Sequence, residues 1–337
     1  MTLALLHART IGAQQVWRRY GRSDIIVPGA ALAARLARPL QGYNPADNLD
    51  LVGVLRKSEP GYYRSDITPT GCVWSGGSVG SGDLVVQQSG VEVTGVRVPN
   101  GRIRGNSSVT DVWVHDNYVH GGPTPGGTNQ SPYPLIQSSF NGGTGWLVED
   151  NTCIWDSGKR TVDSYGIHLR SGTARRNQVE GCVDSIVLYG DHCFAHANLL
   201  RDGQVYANDP RQIDGSHSDG IQDEGGADHE ILGNDIYGPT TGTAAILLSQ
   251  NHARYNKLRI MYNRIYGGKT LAVIGTEKGK GAFLDFDYSY NIHDRTSTEG
   301  VAGRSVAIFD AATFDTMTKV GNTFTDGTAM AVRRDNG

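Results

Sequence analysis

From Ile67 onward the chain alternates short apolar runs with Gly, Asn, Asp and Ser. Leu84-Val85-Val86, Val91-Glu92-Val93 and Val96-Arg97-Val98 are examples. Alternation at a period of two marks such runs as half-buried strands. A sustained helical period is almost absent. The one good helix candidate is the run from Ala30 to Arg38, with Pro28 near its start and Pro39 at its end. Residues 1–64 are therefore read as an attachment or capping segment, and residues 65–337 as a region of repeated strands.

The strands recur in a fixed company. An apolar run leads to an Asn, and another apolar residue follows one to three positions later. The asparagines are Asn117, Asn151, Asn177, Asn198, Asn234, Asn263, Asn291 and Asn322, at spacings of 34, 26, 21, 36, 29, 28 and 31 residues. Before most of them lies a second strand, aligned on Ile136, Ile167, Ile186, Ile221, Ile246, Val273 or Ile308. Units this small cannot bury an apolar face alone, but stacked units can. Coils of roughly 20 to 35 residues with several short strands predict an all-β fold, a single-stranded right-handed parallel β-helix. Each coil adds about 4.8 Å, so eight or more give a rod of roughly 40 Å. The asparagines are expected at bends, where Asn tolerates unusual backbone angles and its amide can form a ladder between coils. A propeller would need hairpin signals, and a helical solenoid would need a 3.6-residue period. The chain shows neither.

Strand alternation then sorts the side chains. With the aligned Ile residues pointing inward, Gly166, Ser185, Gly220, Ala245, Ala272 and Ala307 would leave a shallow depression on the outside. Gln137, His168 and Gln222 follow their Ile, and Arg170, Tyr189 and Glu224 come three positions after it. Two positions before it lie Asp184 and Asp219, expected to stack on adjacent coils about 4.8 Å apart. Carboxylates that close push one pKa up, which suits a general acid and base. His217 and Asp163 border the same edge. The candidate catalytic residues are thus Asp219, Asp184, His217 and Glu224. The candidate substrate-binding residues are His168, Arg170, Tyr189, Gln222 and Gln137. The carboxylates could equally cap strand ends through backbone N–H groups. Asp228, His229 and Glu230 are expected on a solvated turn.

Composition narrows the classes. Net charge is -3, with Lys+Arg 31 against Asp+Glu 34, which gives no electrostatic case for nucleic acid. No apolar run reaches membrane-spanning length. Forty-five glycines without a G-X-Y period exclude collagen. No charge precedes Leu3-Ala4-Leu5-Leu6, so no signal peptide is predicted. Cys72, Cys153, Cys182 and Cys193 show no zinc spacing and read as small buried hydrophobes. GxSxG, Walker A and HExxH motifs are missing. No metal site is assigned; Asp214, Asp219, Asp223 and Glu224 offer oxygens of the type Ca²⁺ prefers, without EF-hand spacing.

The run HSDGIQ at 217–222, followed by the Asn234 motif, resembles right-handed β-helix proteins of actinobacteria and their phages. ITPTGCVWSGGSVGSGDLVVQQSGVEVTGVRVPNGRI, from Ile67 to Ile103, is similar to the opening coils of that family. The resemblance covers roughly residues 65 to 325 and includes pectate-lyase-like enzymes and phage tail spikes or minor tail proteins. It implies contact with cell-surface polysaccharide, a homotrimer, a place in the virion, and other tail proteins as partners of the N-terminal segment. The chain lacks the Arg/Lys base and calcium-binding Asp cluster of pectate lyases, and the G-H-G run of polygalacturonase-type hydrolases. Three readings stay open: a tail spike or minor tail protein that engages a host glycan, a free-standing polysaccharide lyase or glycosidase, and a non-catalytic tail-tip spacer.

Overall fold

A computed structural model describes residues 63–121, 133–138, 143–155, 164–206, 215–238, 244–267, 270–274, 281–294, 307–309 and 311–334. Residues 1–62, with the predicted helix at 30–38, lie outside the described residues, as do Asp163 and Asp214.

Among the described residues the strands form three sheets of 11, 8 and 9 strands, which the chain visits in turn. One pass runs Ser164–Leu169 in the first sheet, Gly172–Arg175 in the second and Gln178–Glu180 in the third. The next runs Asp184–Leu188, Cys193–His196 and Leu199–Arg201; the one after, Asp219–Asp223, Ala227–Leu232 and Asp235–Gly238. Each strand pairs in parallel with its counterparts one pass earlier and later. Parallel neighbours need a long crossover, and here the rest of the coil supplies it. Among the described strands, only the opening hairpin, Cys72–Trp74 with Leu84–Val86, pairs antiparallel.

The core is built of columns. Ile136, Ile167, Ile186, Ile221 and Ile246 lie opposite one another in the first sheet and have no exposed surface. Val148, Ala174, Ala195, Ile231 and Ile260 from the second sheet are equally buried, as are Cys153, Val179, Leu200, Ile236 and Ile265 from the third. Each fully buried aliphatic side chain contributes about 1.5–3 kcal/mol. All four cysteines are buried free thiols, and burial pushes the Cys72 thiol up to about 11.

The eight asparagines form an unbroken ladder at the corner between the second and third sheets. Asn177 is typical: its backbone N–H and its Nδ2 both donate to Asn198 Oδ1 at 3.0 Å, and Nδ2 also donates to Val148 O at 2.9 Å. The same links join Asn117 to Asn151, Asn151 to Asn177, Asn198 to Asn234, Asn234 to Asn263, Asn263 to Asn291 and Asn291 to Asn322. The unusual backbone angle falls one residue earlier than expected. Asp116, Asp150, Arg176, Ala197, Gly233, Tyr262, Tyr290 and Gly321 hold φ between 50° and 67°, each immediately before its Asn. A left-handed residue turns the chain, and the Asn amide then satisfies the backbone groups that the corner leaves without sheet partners.

Two expectations change. In the first sheet Ile246 pairs with Ala272, and Val273 pairs with Leu247 and Ile308, so the alignment slips by one residue at Val273. The run Thr-Leu-Ala-Val-Ile is apolar at both parities, so alternation could not fix its register. The small-residue row is not an outer depression. A Cβ on Gly166 would lie 2.2 Å from Val179 Cγ1, one on Gly220 would lie 2.3 Å from Ile236 Cγ2, and Ala245 is fully buried in the core. These residues are small because the first and third sheets meet there. The last coil is covered by the chain itself. A short helix, Ala311–Thr316, packs beside Leu284–Ser289, Met317 and Met330 are buried, and Arg333–Arg334 pairs with Ala307–Phe309.

Replacing Asn198 with Ala strands the Asn177 N–H, one hydrogen of Asn177 Nδ2 and the acceptor Ala174 O, while Asn234 Oδ1 keeps the backbone N–H of residue 198. At about 1–3 kcal/mol per buried unsatisfied group, the expected loss is at least about 3 kcal/mol. Urea unfolding measures it, and a loss under about 1 kcal/mol contradicts the role given to the ladder. Gly220→Val should destabilise by overpacking, about 1–3 kcal/mol or more. A Tm unchanged by that substitution contradicts the inward placement of the row.

Candidate functional site

The outward side of the first sheet carries the candidate binding residues. Arg104, Gln137, His168, Val187, Gln222 and Leu247 lie opposite one another on successive coils. The expected row of Gln137, His168 and Gln222 therefore exists in register, but Gln137 and His168 are buried and only Gln222 keeps partial exposure, so the row is less open to solvent than alternation predicts. Beside it, at the ends of the same strands, come Arg170, Tyr189 and Glu224, because Leu169, Leu188 and Asp223 share a register.

These side chains engage one another. Arg170 places its guanidinium 5.6 Å from the Tyr189 ring centroid. His252, two coils further on, lies 4.6 Å from the same ring, and His168 lies 6.4 Å away. Tyr189 is thus flanked along the coil axis by Arg170 on one side and His252 on the other. Gln222 Nε2 donates to Glu224 Oε1, and Ser249 Oγ donates to Glu224 Oε2 at 2.9 Å. Gln137 accepts from Arg102, which also pairs with Asp83 at 2.9 Å. Burial, aided by the Arg170 charge, pushes His168 down to about 4, so its ring is neutral near pH 7. His252 and Ser249 were not identified from the sequence. They sit beyond the strand in a turn of variable length, where the repeat gives no alignment.

Asp184 and Asp219 do stand on adjacent coils in register, and both are buried. Their oxygens work along the stack. Asp184 Oδ1 accepts the Asp219 N–H at 2.9 Å, and Asp219 Oδ1 accepts the Ala244 N–H at 2.8 Å. This is the strand-end capping role. The pair also lies at the opposite end of the strands from Tyr189 and Glu224, five residues or about 16 Å away. His217 is exposed ahead of the strand. The candidates form a strip across the sheet and do not converge on one point. Among the described residues, no three His, Cys, Asp or Glu side chains come together as a metal site. Asp219 and Asp223 are committed to different partners.

The charged cluster at 228–230 is not a solvated turn. It belongs to the strand Ala227–Leu232. Asp228 pairs with Lys257 and with His192, and Glu230 with His196. His229 is fully buried. Its Nδ1 lies 2.9 and 3.0 Å from the Asp223 carboxylate oxygens, and its Nε2 lies 2.5 Å from Gly190 O. The Gly190 carbonyl can only accept, so Nε2 carries a hydrogen, and Nδ1 shares a proton with the Asp223 carboxylate. The Asp223 charge raises His229 against the effect of burial. Alternation signals this residue, since Asp223 shares the inward parity of Ile221. A polar residue at an inward position needs a partner.

No protein-family model matches this chain, and neither a curated protein nor a solved structure matches it.

The buried histidines set opposite pH dependences. His168 and His293 are held down to about 4 and about 3 by burial, so their contribution is complete above the unfolded value near 6.5 and fades as pH falls toward those values. His229 is raised, so its contribution is complete below about 6.5 and fades as pH rises through its folded pKa. Denaturant unfolding from pH 4 to 9 should therefore show highest stability near pH 6.5. His293→Leu should flatten the acid side, and Asp223→Asn the alkaline side. Profiles unchanged by both substitutions contradict these assignments.

Proposed function

We propose that the three sheets wind into a right-handed parallel β-helix and that the outward face of its first sheet binds a host cell-surface polysaccharide. Right-handed crossovers are favoured in about 98% of parallel connections, which supports the hand. The observation that carries the binding reading is the strip itself. Arg170, Tyr189, Gln222 and His252 keep exposed surface along it, and the buried Gln137, His168 and Glu224 stand in the same rows. Amide, carboxylate, guanidinium and phenol groups spread over several coils suit an extended chain of hydroxyl groups better than a compact metabolite. The capping of backbone N–H groups by Asp184 and Asp219 favours binding over cleavage by that pair.

In this reading the protein is a phage tail spike or minor tail protein, located in the virion. Residues 1–64 join it to other tail proteins, and three copies assemble for adsorption. The proposal draws on the resemblance of HSDGIQ and of the opening coils together with the strip.

The test is sedimentation of the purified protein with actinobacterial cell walls, alongside Tyr189→Ala and Gln222→Ala. Binding should fall at least tenfold in each variant while the Tm stays within a few degrees. Wild-type protein that leaves all cell walls unbound overturns the proposal. Release of oligosaccharides that Asp219→Asn abolishes would instead establish an enzyme.

A further inference from the structure

The inward column of the first sheet reads Leu169, Leu188, Asp223, Leu248. An aspartate interrupts a run of leucines. Across the core, His229 shares its column with Leu258 and Phe286. A buried ion pair thus occupies two positions that neighbouring coils fill with apolar residues. Apolar replacements of such pairs are often neutral or stabilising, so stability alone does not explain the choice. What Asp and His add is directed hydrogen bonds.

Those bonds reach the outer strip from behind. His229 Nε2 holds the carbonyl of Gly190, the residue after Tyr189, at 2.5 Å. Asp223, the residue before Glu224, accepts from His229 Nδ1 and from the Gly225 N–H at 3.0 Å. The Asp223 carbonyl accepts from Tyr255 Oη at 2.5 Å and from the Ser249 N–H at 2.8 Å. One imidazole therefore links the turn that presents Tyr189 to the turn that presents Glu224, on adjacent coils. The space for it is made by Gly226, where a Cβ would lie 2.8 Å from Nε2 and 2.6 Å from Gly190 O.

We propose that His229 is a positioning residue for the outer strip. It fixes Tyr189 and Glu224 relative to each other by tying Gly190 to Asp223 through the core. The binding consequence rests on the reading of the strip as a glycan surface; the mechanical consequence does not.

The test is the double variant Asp223→Leu/His229→Leu, which restores apolar columns and should fold. Amide hydrogen exchange should speed up at least tenfold at 189–191 and 224–226, with no change at Asn117, Asn151 or Asn322. Cell-wall binding should weaken at least tenfold. Unchanged exchange in both turns overturns the positioning role. Faster exchange with no wild-type cell-wall binding removes the glycan reading and leaves the positioning intact. Should the double variant not fold, nitrogen NMR of wild-type His229 at pH 7 decides. Two protonated ring nitrogens with slowly exchanging protons support the tie, and a bare Nε2 overturns it.

Discussion

The asparagine ladder is the constraint on which the other features depend. Every coil must turn sharply between its second and third strands, and a sharp turn leaves backbone groups without sheet partners. One left-handed residue makes the turn, and the following Asn satisfies those groups while bonding to the Asn of the next coil. The ladder is buried and each Asn donates to the Asn of the next coil, so it locks the coils in register. With the register fixed at one corner, the columns of the core align. The side chains on the outside align with them.

That coupling explains why so much of the fold was legible. The eight asparagines and the column Ile136, Ile167, Ile186, Ile221, Ile246 were found from spacing and parity alone. Legibility failed where parity carries no information. The run around Val273 is apolar on both faces, so the register there could slip by one. Gly166 and Gly220 have no side chain to report a direction, and only the approach of Val179 and Ile236 explains them. Asp228, His229 and Glu230 looked like a solvated turn because a run of ionisable residues usually is one. Asp228 pairs with Lys257 and Glu230 contacts His196 on neighbouring strands, and His229 reaches Asp223 on the first sheet.

The candidate site divides along the same line. Gln137, His168 and Gln222, with Arg170, Tyr189 and Glu224 beside them, follow from the register and are where parity places them. Asp184 and Asp219 are adjacent as expected, but their oxygens serve the backbone. His252 and Ser249 lie in turns whose lengths vary from coil to coil, where no repeat-based inference reaches. The contact of Asp223 with His229 behind the strip faces inward, and its one signal in the chain is the inward parity that Asp223 shares with Ile221. The outer surface and the core are therefore not separate designs, since the same turns serve both.

We propose that an extended glycan lies across the outward face of the first sheet. Footprinting by hydroxyl radicals, with and without solubilised host-wall polysaccharide, tests it most directly. Protection confined to Tyr189 and His252 is the predicted result. Protection of Tyr237 and Tyr266 on the third sheet, with none on the first, would contradict it.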